Sequence, residues 1–259
     1  MRPTPLVQVE RLSKHFGGLR AVDDLSFAVA PDQVLGIIGP NGAGKTTAIN
    51  LISGVIKPSS GAVRLDGHDV TGFAPFVLAK LGVVRTFQAT TVYSLRTVRE
   101  NCLRGAFLHL YTGFLSTLLN TTEAREARTR IDSQVEKTLA WLGLHAHADS
   151  IAGSLPYGYQ KMLGLAMALM ASPRLVMLDE PAAGLSADEA DRIRETIRKI
   201  HTQGIAVIVI DHNMRFMSGL CDRIIVMHLG REIADGAPST VLSDPVVIEA
   251  YLGKRHARA

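Results

Sequence analysis

The chain runs to 259 residues but contains only two cysteines, Cys102 and Cys221, one tryptophan and 5% aromatic residues. Two cysteines cannot build a disulfide framework, so an apolar core must hold the fold, and both thiols are expected to be reduced as in a cytosolic protein. No apolar run reaches the roughly 18 residues that a membrane-spanning helix requires. The nearest approach, "AFLHLYTGFLSTLL" over 106–119, is too short and carries His109. It is expected to be a buried helix or loop, or a greasy contact surface. The start, "MRPTPLVQVE", has no apolar signal core. Charge of one sign is scarce as well: 28 Lys and Arg stand against 24 Asp and Glu, and the bases are dispersed, which speaks against a nucleic-acid partner. There is no internal repeat, low-complexity tract or Pro/Gly linker. What is present is 47% hydrophobic content in a chain long enough to bury a substantial core.

Texture divides the chain into three stretches. Residues 6–10 and 22–29 alternate as strands do, "VLGIIG" (34–39) is a short continuous apolar run suited to a strand buried on both faces, and "GAVRLDG" (61–67) is a strand closed by Asp66-Gly67. From about 95 to 170 the pattern turns helical, with Ile131, Val135, Leu139 and Leu142 on one face of residues 123–143. Strand texture returns at 174–180, 204–212 and 222–236, with helical segments between. Strands alternating with helices predict a mostly parallel α/β sheet, with the 95–170 block as a helical insertion.

Two motifs carry chemistry. "GPNGAGKTT" (39–47) fits G-x-x-x-x-G-K-[ST] between an expected strand and an expected helix. Gly39, Asn41, Gly42, Ala43 and Gly44 form a loop whose backbone N–H groups turn inward on phosphate oxygens, aided by the positive end of the helix. Lys45 supplies a point charge, Thr46 a ligand for Mg²⁺ and Thr47 a hydroxyl to the α-phosphate. Further on, "LVMLDE" (175–180) ends a buried strand in two carboxylates. Asp179 suits Mg²⁺, and Glu180 suits the acceptance of a proton from attacking water.

With these motifs in order, the chain resembles the ATPase subunits of ABC transporters over nearly its whole length. Phe16 in "KHFGG" fits the aromatic that stacks on adenine, and Gln88 in "VVRTFQ" fits the Q-loop. "LPYGYQ" (155–160) falls where the family has its LSGGQ signature, "AAGLS" (182–186) fits the D-loop, and His212 in "VIVIDHNM" fits the H-loop. "GVVRTFQ", "LDEPAAGLS" and "DPVVIEAYLG" resemble the branch that imports branched-chain amino acids. The resemblance implies a P-loop NTPase (RecA-like) α/β core with an antiparallel β subdomain and a helical ABC-specific subdomain. It implies one domain over 1–259, with the core near 1–95 and 170–259. ATP and Mg²⁺ are the implied cofactors, with Thr46, Gln88 and Asp179 toward the metal and Glu180, His212 and Gln88 serving hydrolysis. Asp211 is expected to be a surface or orienting residue.

The implied partners are a second, LivF-like ATPase subunit, two membrane permeases and, indirectly, an extracytoplasmic substrate-binding protein. The implied place is the cytoplasmic face of the membrane, held peripherally. A homodimer of the isolated chain is left open, and a permease helix is expected to dock near Gln88 and residues 89–103. Importers of amides, urea or aromatic acids and soluble non-transport ABC ATPases are the alternatives. Exporter ATPases are commonly fused to their spans, whereas this chain is expected to be a free-standing subunit, which favours an importer. "HAH" (145–147) is expected at the surface, and "GKRHARA" as a frayed tail. The signature stretch departs from the family: Leu155, Pro156, Tyr157, Gly158 and Tyr159 stand for Leu-Ser-Gly-Gly-Gln. Leu155 to Gly158 are expected to face the other subunit's nucleotide, without the serine hydroxyl.

Overall fold

The computed structural model describes residues 4–86, 92–106 and 122–252. Gln88 with residues 89–91, the bulk of the apolar stretch (107–121) and the basic tail (253–259) lie outside the described residues, so the expectations placed on them are not taken further. A six-stranded sheet forms the centre, in the order β10 (Arg231–Gly236), β9 (Arg223–His228), β3 (Val34–Ile38), β8 (Ala206–Ile210), β7 (Leu175–Asp179), β6 (Val83–Thr86). From β9 to β6 the strands are parallel, and only the β10–β9 pair is antiparallel. A second, antiparallel sheet has the order β2 (Leu19–Val29), β1 (Val7–Phe16), β4 (Ser60–Leu65), β5 (His68–Asp69). The expected stretch 222–236 is thus two strands, reversed at Leu229 (φ 48°) and Gly230 (φ 84°), both left-handed as a tight hairpin turn requires. Strand β6 carried no strand signal of its own.

The apolar runs are continuous because both faces of the central sheet are covered. Leu35 and Ile37 of β3, Leu175 and Met177 of β7, and Ile208 and Ile210 of β8 face one core. That core is shared with the antiparallel sheet, with α1 (Lys45–Ile52) and with Leu78 of the short α2 (Pro75–Lys80). The intervening residues Val34, Ile38, Val176, Leu178, Val207 and Val209 face a second core, under α6 (Ala187–Thr202) and α7 (Met214–Leu220). At roughly 2 kcal/mol per fully buried aliphatic side chain, these two layers are the main source of stability.

A third cluster lies within residues 98–170. It joins α3 (Val98–Gly105), α4 (Thr122–Trp141) and α5 (Tyr157–Leu169), and buries Ile131, Val135, Leu139 and Leu142, the face expected from their spacing. Helix α3 begins on a reciprocal capping box of Thr97 and Glu100. Helix α5 belongs to two cores at once: Leu163 and Ala166 pack into the helical cluster, and Leu165 into the core under α6. Cys102 and Cys221 are buried and free, and burial pushes both thiols up to about 12. Among the described residues, no helix is long and apolar enough to cross a membrane.

Candidate functional site

The site is built at the carboxyl ends of neighbouring parallel strands, where open α/β sheets bind ligands. Strand β3 opens into the 39–44 loop. Its neighbour β8 runs into Asp211 and His212, the next strand β7 ends at Asp179 and Glu180, and β6 lies beyond it. Sheet order thus brings together side chains far apart in sequence.

The loop is held from below. A Cβ on Gly39 would run into the Met227 carbonyl oxygen, and one on Gly44 into that of Ala21. Both glycines have positive φ, so only glycine fits either place. The Gly230 N–H donates to Ala43 O at 3.0 Å, fixing the loop to the β9–β10 turn. Helix α1 starts at Lys45 with no side-chain cap and no acidic residue in its first turn, so its N-terminal N–H groups face the loop. The Lys45 ammonium donates to Gly39 O at 2.7 Å and Pro40 O at 3.0 Å. Burial lowers its pKa, opposed by the negative charges of Glu180 and Asp179.

Asn41 to Thr47 line a cavity of about 470 Å³ together with Leu19, Arg20, Ala21, Glu180 and Leu229. It is a concave, cationic loop with hydroxyls and a carboxylate at its rim, and its open Gly42 leaves room for a polyphosphate to lie on the backbone. Thr46 is exposed to it, and Thr46 and Asp179 offer hard oxygen donors of the kind Mg²⁺ takes. The residues therefore fit a magnesium nucleotide.

Glu180 sits at φ 51°, an uncommon conformation for a side chain of its kind, with its N–H donating to Ile210 O at 2.7 Å. Its carboxylate lies 3.9 Å from His212 Nδ1. His212 is largely exposed, whereas Asp211 is fully buried. Asp211 is therefore not a surface residue: its carboxylate accepts from Ala182 N at 3.0 Å and Asn213 N at 2.9 Å, tying the segment after Glu180 to the segment around His212.

Asp179 is buried and paired with Arg85 at 2.9 Å. Arg85 also reaches Asn50 Oδ1 at 2.5 Å and Ser53 Oγ at 3.2 Å, both at the end of α1. Sequence reasoning passed over Arg85; its only signal was a charge inside the apolar "GVVRTF". Removing one member of such a buried pair typically costs about 3 kcal/mol or more, because the other charge is left without compensation.

Phe16 stands half exposed at the end of β1 with the Lys14 ammonium 5.2 Å from its ring centre. It does not line the cavity, but its cross-strand partner Leu19 does. Leu19 and Leu229, both strongly exposed, are cavity-wall residues that the sequence did not single out.

The 155–158 stretch lies away from this cavity. Leu155 is buried in the helical cluster, so only its backbone is available, and its carbonyl accepts from Gln160 Nε2 at 2.9 Å. Pro156 is the N-cap of α5 and Tyr157 its first residue. Tyr157 is partly exposed and packs over Gly184, where a Cβ would meet its ring at 3.2 Å. A Cβ on Gly158 would meet a Glu189 carboxylate oxygen at 2.8 Å. That carboxylate accepts from Ser186 N at 2.9 Å, and these bonds with the Gly158 N–H hold it below the usual carboxylate range. His145 and His147 lie on the short turn between α4 and α5; His147 packs edge-on against Tyr159. Among the described residues, no cluster of His, Cys, Asp and Glu suits a metal.

A family model described as ABC transporter matches residues 22–183, and one described as branched-chain amino acid ATP-binding cassette transporter matches residues 231–257. The chain is 39% identical to the high-affinity branched-chain amino acid transport ATP-binding protein BraF of Pseudomonas aeruginosa, over 96% of this chain and 98% of that protein. It is 38% identical to the LivG protein of Escherichia coli, with the same shares covered. The lipopolysaccharide export system ATP-binding protein LptB of Acidithiobacillus ferridurans is 33% identical over 96% of this chain and 97% of its own. Among solved structures, a nucleotide-free ATP-binding cassette from an ABC transporter superposes with a TM-score of 0.84 at 32% identity, covering 96% of this chain and all of that one. An ABC transporter cassette in its ADP conformation also gives 0.84, at 33% identity over 96% and 99% of the two chains.

Proposed function

The chain belongs to the ABC transporter ATP-binding family, and from that premise we propose that it hydrolyses ATP to drive uptake of branched-chain amino acids. The observation that carries the reading is the shared cavity of Lys45, the glycine loop and Glu180, with His212 beside Glu180. The similarity of residues 231–257 to the branched-chain amino acid cassettes favours that substrate class over lipopolysaccharide export.

In this reading the 39–44 backbone and Lys45 hold the phosphates of ATP, with Thr47 on the α-phosphate, and Thr46 and Asp179 face Mg²⁺. The bound magnesium nucleotide supplies the reactive phosphoanhydride and neutralises charge on it. Phe16, with Leu19 and Leu229, lies toward the base. Glu180 takes the proton from the attacking water, and His212 positions Glu180 and the phosphate end. Asp211 keeps those two segments in register. Residues 155–158 serve the nucleotide of a second ATPase subunit of the LivF kind. That pair works at the cytoplasmic face of the membrane on two permeases fed by a binding protein.

The test is to purify the chain with its membrane partners and follow ATP hydrolysis and amino-acid uptake. Glu180→Gln should lower hydrolysis by about 10² to 10³, as loss of a general base does, while ATP binding persists. Uptake should favour leucine, isoleucine and valine over urea, amides and aromatic acids. Unchanged hydrolysis in Glu180→Gln, or no binding to permeases, would sink the reading.

A further inference from the structure

Helix α5 does more than present residues 155–158 outward. Its first turns also grip the segment that ends in Glu180. The Lys161 ammonium donates to the Glu180 carbonyl oxygen at 3.2 Å. The same ammonium lies 5.4 Å from the centre of the Tyr157 ring, whose edge packs on Gly184. Gly158 meets Glu189, which with Ser186 forms the capping box of α6. Three successive points of α5 thus hold Glu180, Gly184 and Glu189 in the same chain.

The first of these contacts falls on a sensitive place. At φ 51°, Glu180 is held against its backbone preference, and such conformations persist only where the surroundings over-determine them. Its N–H is tied to Ile210 O at 2.7 Å, and its carbonyl accepts from Ala183 N at 3.2 Å as well as from Lys161. A charged donor strengthens the carbonyl contact. The peptide planes on either side of Glu180 set the direction of its Cα–Cβ bond, from which the side chain starts, so a donor on that carbonyl bears on where the carboxylate can reach.

We propose that Lys161, oriented by the Tyr157 ring, is a positioning residue for Glu180: through it, α5 sets the aim of this chain's own carboxylate, and engagement of residues 155–158 by a second subunit is felt there. The proposal rests on the functional reading above. It also gives Tyr157 work inside its own chain: the ring packs on Gly184 and seats the cation.

The decisive variants are Lys161→Met, which keeps the aliphatic stem without the charge, and Lys161→Arg, which keeps a cation. In the assembled transporter, Lys161→Met should lower kcat about tenfold, the scale of a misaimed reacting group, with KM for ATP unchanged. Lys161→Arg should recover most of it. In the Glu180→Gln background, Lys161→Met should cost nothing further, because both changes act through one group. Amide exchange of the intact chain should rise in residues 180–184 of Lys161→Met with no fall in melting temperature. If Lys161→Met keeps the wild-type kcat, or if Met and Arg lose equally with a lower melting temperature, Lys161 is a strut only and the inference is overturned. Unchanged hydrolysis in Glu180→Gln would instead overturn the functional reading itself.

Discussion

The phosphate loop and the 155–161 stretch both present glycine and a helix N-terminus, yet they are held in opposite ways. The loop stands on a strand buried on both faces, and two of its glycines press against backbone carbonyls of β9 and β2. Nothing there can give except the main chain. In the second stretch Gly158 faces the end of a glutamate side chain, Leu155 is anchored in the helical cluster, and α5 straddles two cores. Backbone meets backbone in the first, and movable side chains meet in the second. A rigid cradle suits a ligand that must always be held alike. A softer joint suits a surface that meets another subunit and passes its motion on.

Three substitutions probe that difference. Gly39→Ala should be the most severe, because its Cβ meets the Met227 carbonyl at positive φ; about 4 kcal/mol of stability should be lost, read as a large fall in denaturation midpoint together with loss of nucleotide binding. A mild effect there would mean that the cradle yields after all. Arg85→Met should come next, at about 3 kcal/mol, since it strands Asp179 without its counter-charge. The double variant with Asp179→Asn should recover part of that loss, and simple additivity would break the pairing. Gly158→Ala should be smallest, about 1 kcal/mol or less, because the Glu189 carboxylate can rotate away and alanine favours the helix. A loss as large as that of Gly39→Ala would erase the contrast between the two regions.

The chemistry of the site was legible because it is local: "GPNGAGKTT" holds its strand, loop and helix within a dozen residues, and "LVMLDE" shows a buried strand and its acids together. The parallel sheet was legible for the same reason, since runs covered on both faces need no alternation. What escaped depends on sheet order. Arg85 meets Asp179 only because β6 pairs with β7, more than eighty residues later in the chain. For Asp211 the sequence left a surface and an orienting role both open, and alternation past the end of β8 decides for the second by turning it inward, where its carboxylate accepts from two backbone N–H groups. Lys161 carries no motif at all; its role comes from a helix lying against the turn after β7. Strand β6 is four residues at the sheet edge and too brief for a pattern of its own.

The position of β3 has one more consequence, for synthesis of the chain. It is the fourth strand from the β6 edge of the sheet but among the earliest in sequence, and both of its neighbours, β8 and β9, come from after residue 205. On the ribosome, which extends chains at roughly 5–20 residues per second, the nascent loop therefore waits many seconds for the strands that will flank it. Its seat on Met227 does not exist until most of the polypeptide has emerged. The motif is written early and becomes a binding site late, so premature termination yields fragments that carry the signature of a nucleotide enzyme without the power to hold a nucleotide.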